Sequence, residues 1–386
     1  MTPVVTVSTR GADRLYRGHP WIYRSDLTRV DAAGGDTVRV VDTRGMPLGY
    51  ALYSDRSQIA LRLLTRGAAV PGPSFWRDRI ARALQFRADL ALDTNACRLV
   101  HGEADLLPSL VVDRYGDYLV VQTLSQGTDR LLPQLVELLV DLAAPRGILA
   151  RNDPRVRVLE GLEQRVDLLY GEVPETVEVV DGGVRLRADV WRGQKTGLFL
   201  DQRDNREAAA RYAHGRLLDC FSYNGGFALR LATHCTSVLA LDSSEQAIAR
   251  IRENAALNGL VLDAREANVF DELREFDRAD ERFDTIVLDP PAFAKNKAAL
   301  AKALAGYKEI NLRALRLLTP GGYLVTCTCS YHVDEATFGD VVLDAALDAG
   351  ASVSVVEKRM QGRDHPVLLG VPETYYLKCL ILRRLA

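Results

Sequence analysis

Up to residue 66 the hydrophobic positions come in short runs that polar, glycine-bearing turns separate. The strand-length runs are residues 3–7, 38–41, 48–53 and 59–64. Short strands at this close spacing, with turn signals between them, predict a small β-barrel. The next stretch, residues 67–73, is rich in glycine, alanine and proline and predicts a domain boundary.

From residue 74 onward, hydrophobic runs alternate with segments of helical periodicity. Helical patterns cover residues 74–92, 130–142, 243–258 and about 297–318, and hairpin patterns cover residues 110–122 and 177–190. Strand-like runs finish near Asp219, Asp242 and Asp289, and a helical pattern follows each of them. This alternation predicts an α/β fold with a parallel sheet, whose ligands bind at the C-terminal ends of the strands.

The first of these strand-like runs ends in a glycine-bearing loop, FSYNGG at residues 221–226, that leads into a helical pattern. A strand, a tight turn and a helix N-terminus bring the backbone close to a nucleotide-like ligand. The second run ends at Asp242, a position from which a carboxylate could accept both hydroxyls of a ribose. Gly225 and Gly226 do not complete a dinucleotide fingerprint, so this loop alone is also compatible with an ordinary βα turn and a dehydrogenase is disfavoured.

Two further strand ends carry residues with chemical function. The run 283–288 continues as DPPAF, and its prolines fix the loop backbone so that Asp289 and Phe293 lie at the sheet edge. The run 323–330 ends in TCS, which places Cys329 at the same edge and Cys327 one step deeper on the same face. Position therefore favours Cys329 as the reactive thiol and Cys327 as a packed core thiol.

These stretches together resemble motifs of the class I S-adenosylmethionine (SAM) methyltransferases: residues 194–206 resemble motif X, 219–226 motif I, DPPAF motif IV and TCS motif VI. In addition, GHPWIY at residues 18–23 and the β-rich segment after it resemble a PUA domain. The whole chain resembles the bacterial PUA-containing 23S rRNA cytosine-carbon-5 methyltransferases. The resemblance implies a PUA β-barrel at 1–67, a small α/β (EEHEE-type) central domain at 74–190 and a Rossmann-like class I methyltransferase domain at 191–386.

SAM is the cofactor that this resemblance implies. Asn268 stands where family members carry an acid, and its carbonyl oxygen still accepts a hydrogen bond from the adenine amino group, without charge assistance. The implied cofactor-binding residues are Gln194, Phe199, Asp201, Arg203, Asp219, Phe221, Tyr223, Gly225, Gly226, Asp242, Ser243, Asn268 and Asp289.

Methylation of cytosine carbon 5 needs a nucleophile, because that carbon becomes reactive only after a thiolate adds to carbon 6. The resemblance implies that Cys329 is this nucleophile, that Asp289 binds the cytosine amino group and ring nitrogen, and that Phe293 stacks on the flipped base. His365 lies in RDHP, which resembles a family loop over the active site. Motif IV lacks the cysteine that many relatives use for product release, so release needs another base or water.

Charge is distributed unevenly along the chain. The net charge is −2, which argues against an indiscriminate nucleic-acid binder. Residues 1–66 carry ten Arg and six Asp and neither Lys nor Glu, a net charge of +4. Arginines alternate with aromatics around residues 14–24, so we expect Arg14, Arg17 and Arg24 to bind RNA. The resemblance implies that this RNA is 23S rRNA, in the large ribosomal subunit or its precursor. Trp21 and Tyr23 are expected in the barrel core.

The remaining composition narrows the class of protein. No apolar run reaches the roughly 18 residues of a membrane span, and the N-terminus lacks a signal-peptide pattern. The six cysteines are scattered without a C-x-x-C pair, so we expect no disulfide framework, no metal site and a reducing cytoplasm.

Two alternatives stay open. One is an N-methyltransferase acting on guanine or adenine, because D-P-P-[FY] is also the signature of amine-methylating enzymes. The other is a catalytically inactive RNA-binding assembly factor. The sequence does not specify the target nucleotide or the oligomeric state, monomer or homodimer.

Overall fold

A computed structural model describes residues 2–67, 70–294 and 297–386. The chain divides into two compact units. The first unit contains the residues up to Val179, then Ala188–Leu198 and Arg363–Thr374, and the second contains Val180–Arg187, Phe199–Gly362 and Tyr375–Ala386. Among the described residues, no helix has the length and apolar character that crossing a membrane requires. Single-turn 3-10 helices occur at Arg24–Asp26, Gly102–Asp105, Leu200–Gln202, Lys297–Ala299 and Pro372–Thr374.

The first unit begins with a six-stranded sheet. Its elements are β1 Val4–Val7, α1 Thr9–Tyr16, β2 Trp21–Tyr23, β3 Leu27–Asp31, β4 Thr37–Val41, β5 Pro47–Tyr53 and β6 Ile59–Thr65. The strand order is β2-β6-β5-β4-β1-β3, in which only β1 and β4 pair in parallel. On β2 the buried residue is Ile22, whereas Trp21 and Tyr23 alternate to the other side and are half-buried. The prediction that these two aromatics form the core is therefore wrong.

A second sheet follows in the same unit. Its elements are α2 Pro73–Asp89, β7 Ala96–His101, β8 Leu110–Tyr115, β9 Tyr118–Thr123, α3 Gln126–Arg130, α4 Leu132–Ala143, β10 Gly147–Asn152, α5 Val156–Leu159 and β11 Arg165–Gly171. The strand order is β11-β10-β9-β8-β7, and helices α2 and α4 bury Trp76, Ile80, Leu135 and Leu139 against it. A buried ion pair, Arg62 with Glu160 at 2.8 Å, joins β6 to the residue after α5. A hairpin of β12 Thr176–Asp181 and β13 Val184–Asp189 comes next.

The second unit is built on a seven-stranded sheet. Its elements are α6 Arg203–Ala210, β14 Arg216–Cys220, α7 Gly226–Ala232, β15 Ser237–Asp242, α8 Glu245–Leu257, β16 Asp263–Glu266, α9 Val269–Arg278, β17 Phe283–Leu288, α10 Leu300–Leu317, β18 Leu318–Thr328, α11 Glu335–Ala349, β19 Val353–Met360 and β20 Lys378–Arg384. The strand order is β16-β15-β14-β17-β18-β20-β19. Strands β14 to β18 pair in parallel, and β20 is antiparallel to both of its neighbours.

Helices cover both faces of this sheet, which confirms the predicted α/β class. Helices α9, α10 and α11 bury residues such as Leu273, Ile310 and Phe338 on one face, and α6, α7 and α8 bury Phe227 and Ile251 on the other. After β14 the chain first builds outward to β16 and then returns to place β17 on the other side of β14. Such a reversal of strand order opens a crevice at the C-terminal strand ends, where ligands bind.

Candidate functional site

The loop after β14 holds two aromatic residues in a left-handed conformation. Phe221 has φ 62° and Tyr223 has φ 52°, and Gly225 follows with φ 84°. For a bulky side chain this backbone costs of order 1–3 kcal/mol and persists only where the surroundings impose it. Strain of this kind concentrates at functional sites, and here it occurs in the loop that resembles motif I.

Asp219 braces the loop from inside the sheet. One carboxylate oxygen accepts the backbone N–H of Ala228 at 2.9 Å, and the Ser222 hydroxyl donates to the Asp219 carbonyl at 2.7 Å. Burial raises the pKa of Asp219 to about 7, against the lowering effect of hydrogen bonds that its carboxyl group receives from the Ser222 side chain and the Ala228 N–H. Its side chain is 1% exposed, so Asp219 shapes the loop after β14 through these hydrogen bonds.

Asp242 at the end of β15 holds the loop from the neighbouring strand. Its Oδ2 accepts the N–H of Tyr223 at 2.8 Å, and its Oδ1 accepts the N–H of Ser244 at 3.0 Å. Each carboxylate oxygen has more than one acceptor site, so both can also accept a ribose hydroxyl. Ser244 caps α8 by accepting the N–H of Ala247, and Ser243 lies exposed beside it.

Asn268 and Phe199 occupy two further positions of the predicted cofactor site. Asn268 caps α9, since its Oδ1 accepts the N–H of Phe270 at 3.0 Å. The oxygen predicted to face adenine therefore already has one backbone donor. Phe199 meets the Tyr223 ring edge to face with 5.1 Å between centroids, so an aromatic pair flanks the loop.

Asp201 and Arg203, also predicted to bind the cofactor, are buried in side-chain contacts. The Tyr376 hydroxyl donates to Asp201 Oδ2 at 2.7 Å. Arg203 and Arg206 donate to the two oxygens of Asp181 at 2.7 and 2.6 Å. These contacts explain why a segment this polar is buried, and they give Asp201 and Arg203 a structural role in addition to the predicted one.

Asp289 and Phe293 lie in the loop after β17. Gln202, which the sequence analysis did not single out, donates its amide N–H to Asp289 Oδ1 at 2.8 Å. The Phe293 ring lies on Tyr307 of α10, with 4.7 Å between centroids and 37° between planes. Phe293 is half-buried, and its ring also lies 6.3 Å from that of Phe221 in the loop after β14.

Three hydroxyl groups tie this loop to the end of β18. The Tyr307 hydroxyl accepts from Thr328 at 2.8 Å and shares a 2.8 Å hydrogen bond with Ser330. Ser330 Oγ in turn accepts the N–H of Ala294 at 3.2 Å. Thr328 and Ser330 flank Cys329, so Tyr307 fixes the thiol-bearing chain relative to the proline loop.

The two cysteines of β18 have different surroundings. Cys327 is fully buried and stands opposite Cys379 in the register of β18 and β20. A hydrogen bond with Cys379, together with burial, raises the pKa of Cys327 well above its usual value. Cys329 lies past the strand end and is half-buried. The Lys378 ammonium is held nearby by the carbonyls of Ser330 and Tyr376 at 3.4 and 3.3 Å.

Five predicted residues belong to the first unit. Gln194 is exposed, and His365 is buried with its Nδ1 2.9 Å from Asp364. The contribution of Gln194 and His365 to the site stays a prediction.

The three arginines predicted to bind RNA differ in their surroundings. Arg24 donates to the carbonyls of Ser54 and Ser57, Arg14 lies 4.6 Å over the Tyr23 ring, and Arg17 is exposed after α1.

Known proteins resemble the chain along almost its whole length. Residues 98–383 match the family described as S-adenosylmethionine-dependent methyltransferase, and residues 5–66 match the PUA-like domain. A Tolumonas auensis protein named "Ribosomal RNA large subunit methyltransferase I" is 42% identical over 381 residues, covering 96% of each chain. A Vibrio cholerae serotype O1 protein of the same name is 39% identical over 391 residues, covering 98% of each.

Solved structures agree on the fold. SMU.776, a candidate methyltransferase complexed with SAH, superposes with a TM-score of 0.86 at 20% identity and covers 99% of this chain and 100% of its own. A candidate SAM-dependent methyltransferase from Streptococcus mutans gives a TM-score of 0.84 at 19% identity, with the same coverage. At these identities the likeness concerns the fold alone.

Proposed function

Since the chain belongs to the S-adenosylmethionine-dependent methyltransferase family, we propose that it methylates carbon 5 of a cytosine in large-subunit ribosomal RNA through a thiolate adduct of Cys329. The observation that carries the proposal is the placement of Cys329 and Asp289 at the C-terminal ends of the adjacent strands β18 and β17. The names of the similar proteins, "Ribosomal RNA large subunit methyltransferase I", support the RNA substrate.

The residues around the β14 loop fit the cofactor. Asp242 offers acceptors for the ribose, Phe199 and Tyr223 offer aromatic faces, and the Asn268 oxygen has a second acceptor site for the adenine amino group. Gly225 leaves the loop without a side chain where its φ is positive. SAM, when bound, supplies an electrophilic methyl group.

The side chains at the ends of β17 and β18 have different roles toward the base: Cys329 is the nucleophile and Asp289 transfers a proton. The Cys329 thiolate forms a bond to carbon 6, and the electron pair displaced from the ring is taken up at the ring nitrogen, which receives a proton from Asp289. Carbon 5 becomes nucleophilic in this adduct. With the methyl group that SAM would supply in place on carbon 5, the carbon-5 proton passes to water or another base. Its electron pair re-forms the bond between carbons 5 and 6 and expels the thiolate, and the nitrogen proton returns to Asp289. Phe293, supported by Tyr307, offers a face for stacking on the flipped base.

The assignment of Cys329 over Cys327 rests on access and ionisation. A nucleophilic cysteine reacts as the thiolate, and burial in apolar surroundings disfavours that form. Cys327 is fully buried and its pKa is raised, whereas Cys329 is half-buried beside the Lys378 ammonium. A cation near the thiol favours its ionised form.

Identification of the modified base tests the proposed function. Large-subunit rRNA transcribed in vitro is incubated with the protein and SAM, digested to nucleosides and analysed by mass spectrometry. We expect 5-methylcytidine as the new nucleoside. Methylguanosine or methyladenosine would instead support the amine-methylating alternative, and the absence of any methylated nucleoside would support the inactive assembly factor.

We propose that the three domains predicted from the sequence, at residues 1–67, 74–190 and 191–386, are separate functional units. The first of them, the PUA-like module, binds RNA. Residues at the end of α1 fit this role, because Tyr16 is 69% exposed and Arg17 is exposed beside it. An exposed ring stacks on an unpaired base, and a guanidinium binds phosphate. Arg24 fits the role less well, since its guanidinium is bound to carbonyls of the same sheet.

Arg17→Glu is therefore expected to weaken RNA binding and to reduce the salt slope of log K by about one. Filter binding at several salt concentrations measures both quantities. Arg44→Glu makes the same change of charge in the turn between β4 and β5 and serves as the control. Equal weakening by both variants would show that only overall charge matters, which would contradict docking at α1.

A further inference from the structure

A row of hydrogen-bonded side chains leads from β19 through α6 to Asp289. Arg359 Nε donates to Asn205 Oδ1 at 3.1 Å, Asn205 Nδ2 donates to Gln202 Oε1 at 2.7 Å, and Gln202 Nε2 donates to Asp289 Oδ1 at 2.8 Å. Gln202 is 2% exposed and Asn205 is fully buried. Water therefore has little access to either amide, so protein groups must satisfy both of them; besides its partners in the row, the Gln202 side chain also hydrogen-bonds Cys327.

Arg359 determines the direction of every bond in the row. An amide can face a neighbour with its oxygen or with its nitrogen, but a guanidinium only donates. Asn205 must therefore turn its oxygen toward Arg359 and its nitrogen toward Gln202. Gln202 in turn must present its nitrogen to Asp289. Arg359 is itself held by Glu357, whose Oε2 it contacts at 2.6 Å.

This direction specifies how the carboxyl group of Asp289 is used. Oδ1 of Asp289 accepts the amide N–H of Gln202. When the Asp289 carboxyl group is protonated, its proton is therefore favoured on the other oxygen, Oδ2. We propose that Arg359, Asn205 and Gln202 are positioning residues that make Asp289 Oδ1 the acceptor, so that Oδ2 exchanges a proton with the ring nitrogen of the target base.

The proposed role rests on the proposed function and deepens it. As the sulfur–carbon-6 bond forms, the proton on Oδ2 passes to the ring nitrogen, and it returns when that bond breaks. If the row ran in the opposite direction, the Gln202 oxygen would face Asp289 Oδ1 and would require the proton there. The proton would then be held between two protein groups and away from the base.

Gln202→Glu tests the direction of the row, since it replaces the donor to Asp289 with a second carboxyl group. We expect the single-turnover rate at pH 8 and saturating SAM to fall about 100-fold, the usual scale for losing acid–base assistance. The loss should shrink as the pH is lowered, because the introduced carboxyl group then carries a proton that it can donate to Asp289. A loss that is the same at every pH would contradict the inference.

Arg359 offers a matched pair of variants. Arg359→Lys keeps a group that only donates, whereas Arg359→Gln introduces an amide that can face Asn205 either way. Both lose the forked contacts of the guanidinium, so their melting temperatures should fall alike. We expect Arg359→Gln to be about tenfold slower than Arg359→Lys. Equal rates in two folded variants would overturn the inference.

All rates are measured as total methyl label transferred from SAM to rRNA, whichever base receives it. The role of the row is thereby tested separately from the identity of the base, which nucleoside analysis of the wild-type product decides. If Gln202→Glu fails to fold, the Arg359 pair decides the question alone. A wild-type protein that transfers no label refutes the proposed function and this inference together.

Discussion

Cys329→Ala is expected to lower the rate of methyl transfer by at least about 10⁴-fold, the scale for removing a nucleophile that forms a covalent intermediate. Without the thiolate, carbon 5 of the base does not become nucleophilic. The side chain is small and half-buried, so its truncation should leave SAM and RNA binding nearly intact. Single-turnover assays, titration calorimetry with SAM and RNA filter binding measure the three quantities.

Cys327→Ala is the matched control on the same strand. Cys327 packs against Cys379 in the core, so its truncation should lower the unfolding free energy by about 1 kcal/mol and leave the transfer rate within about threefold. The assignment would be contradicted if Cys327→Ala abolished transfer in a folded protein while Cys329→Ala retained it.

The second large effect is expected on the affinity for SAM. Asp242→Ala should weaken SAM binding by about 1–3 kcal/mol, because it removes the ribose acceptor and leaves the N–H groups of Tyr223 and Ser244 without their partner. Part of the loss comes from the loop, since this carboxylate helps to hold Tyr223 at its strained φ of 52°. Titration calorimetry measures the dissociation constant.

Asp263→Ala provides the control for Asp242. Asp263 begins β16, where it pairs with Leu239, three residues before Asp242, and its carboxylate is exposed. Its removal makes the same change in charge and should leave SAM affinity unchanged. An unaltered dissociation constant for Asp242→Ala, with the fold intact, would remove Asp242 from the cofactor site.

The sequence predicted the strand ends of the site because they depend on local patterns. Hydrophobic runs that finish at Asp242, Asp289 and the TCS segment are visible without the structure, and the parallel sheet brings their ends to one edge. The helix α1 and the strand β3 were not predicted, because their polar and exposed residues hide the periodicity. Their formation depends on sheet pairing and on the capping Ser8.

The residues that the sequence analysis missed act through distant partners. Gln202 contacts Asp289, 87 positions away, and Arg359 contacts Asn205, 154 positions away. No spacing rule connects such pairs, although the polar run 201–206 at a buried helix start was a usable signal. In the same run Asp201 and Arg203 are bound to Tyr376 and Asp181, and their role at the cofactor stays a prediction.

Covalent trapping shows whether Cys329 forms a bond to the target cytosine. Large-subunit rRNA is transcribed with 5-fluorocytidine in place of cytidine, so that the adduct cannot lose a proton from carbon 5 after methyl transfer and the thiolate is not expelled. With SAM present, wild type and Cys327→Ala should form an RNA–protein adduct that mass spectrometry places on Cys329, and Cys329→Ala should form none. An adduct in Cys329→Ala, or none in a wild-type protein that methylates unmodified RNA, would show that Cys329 is not the nucleophile.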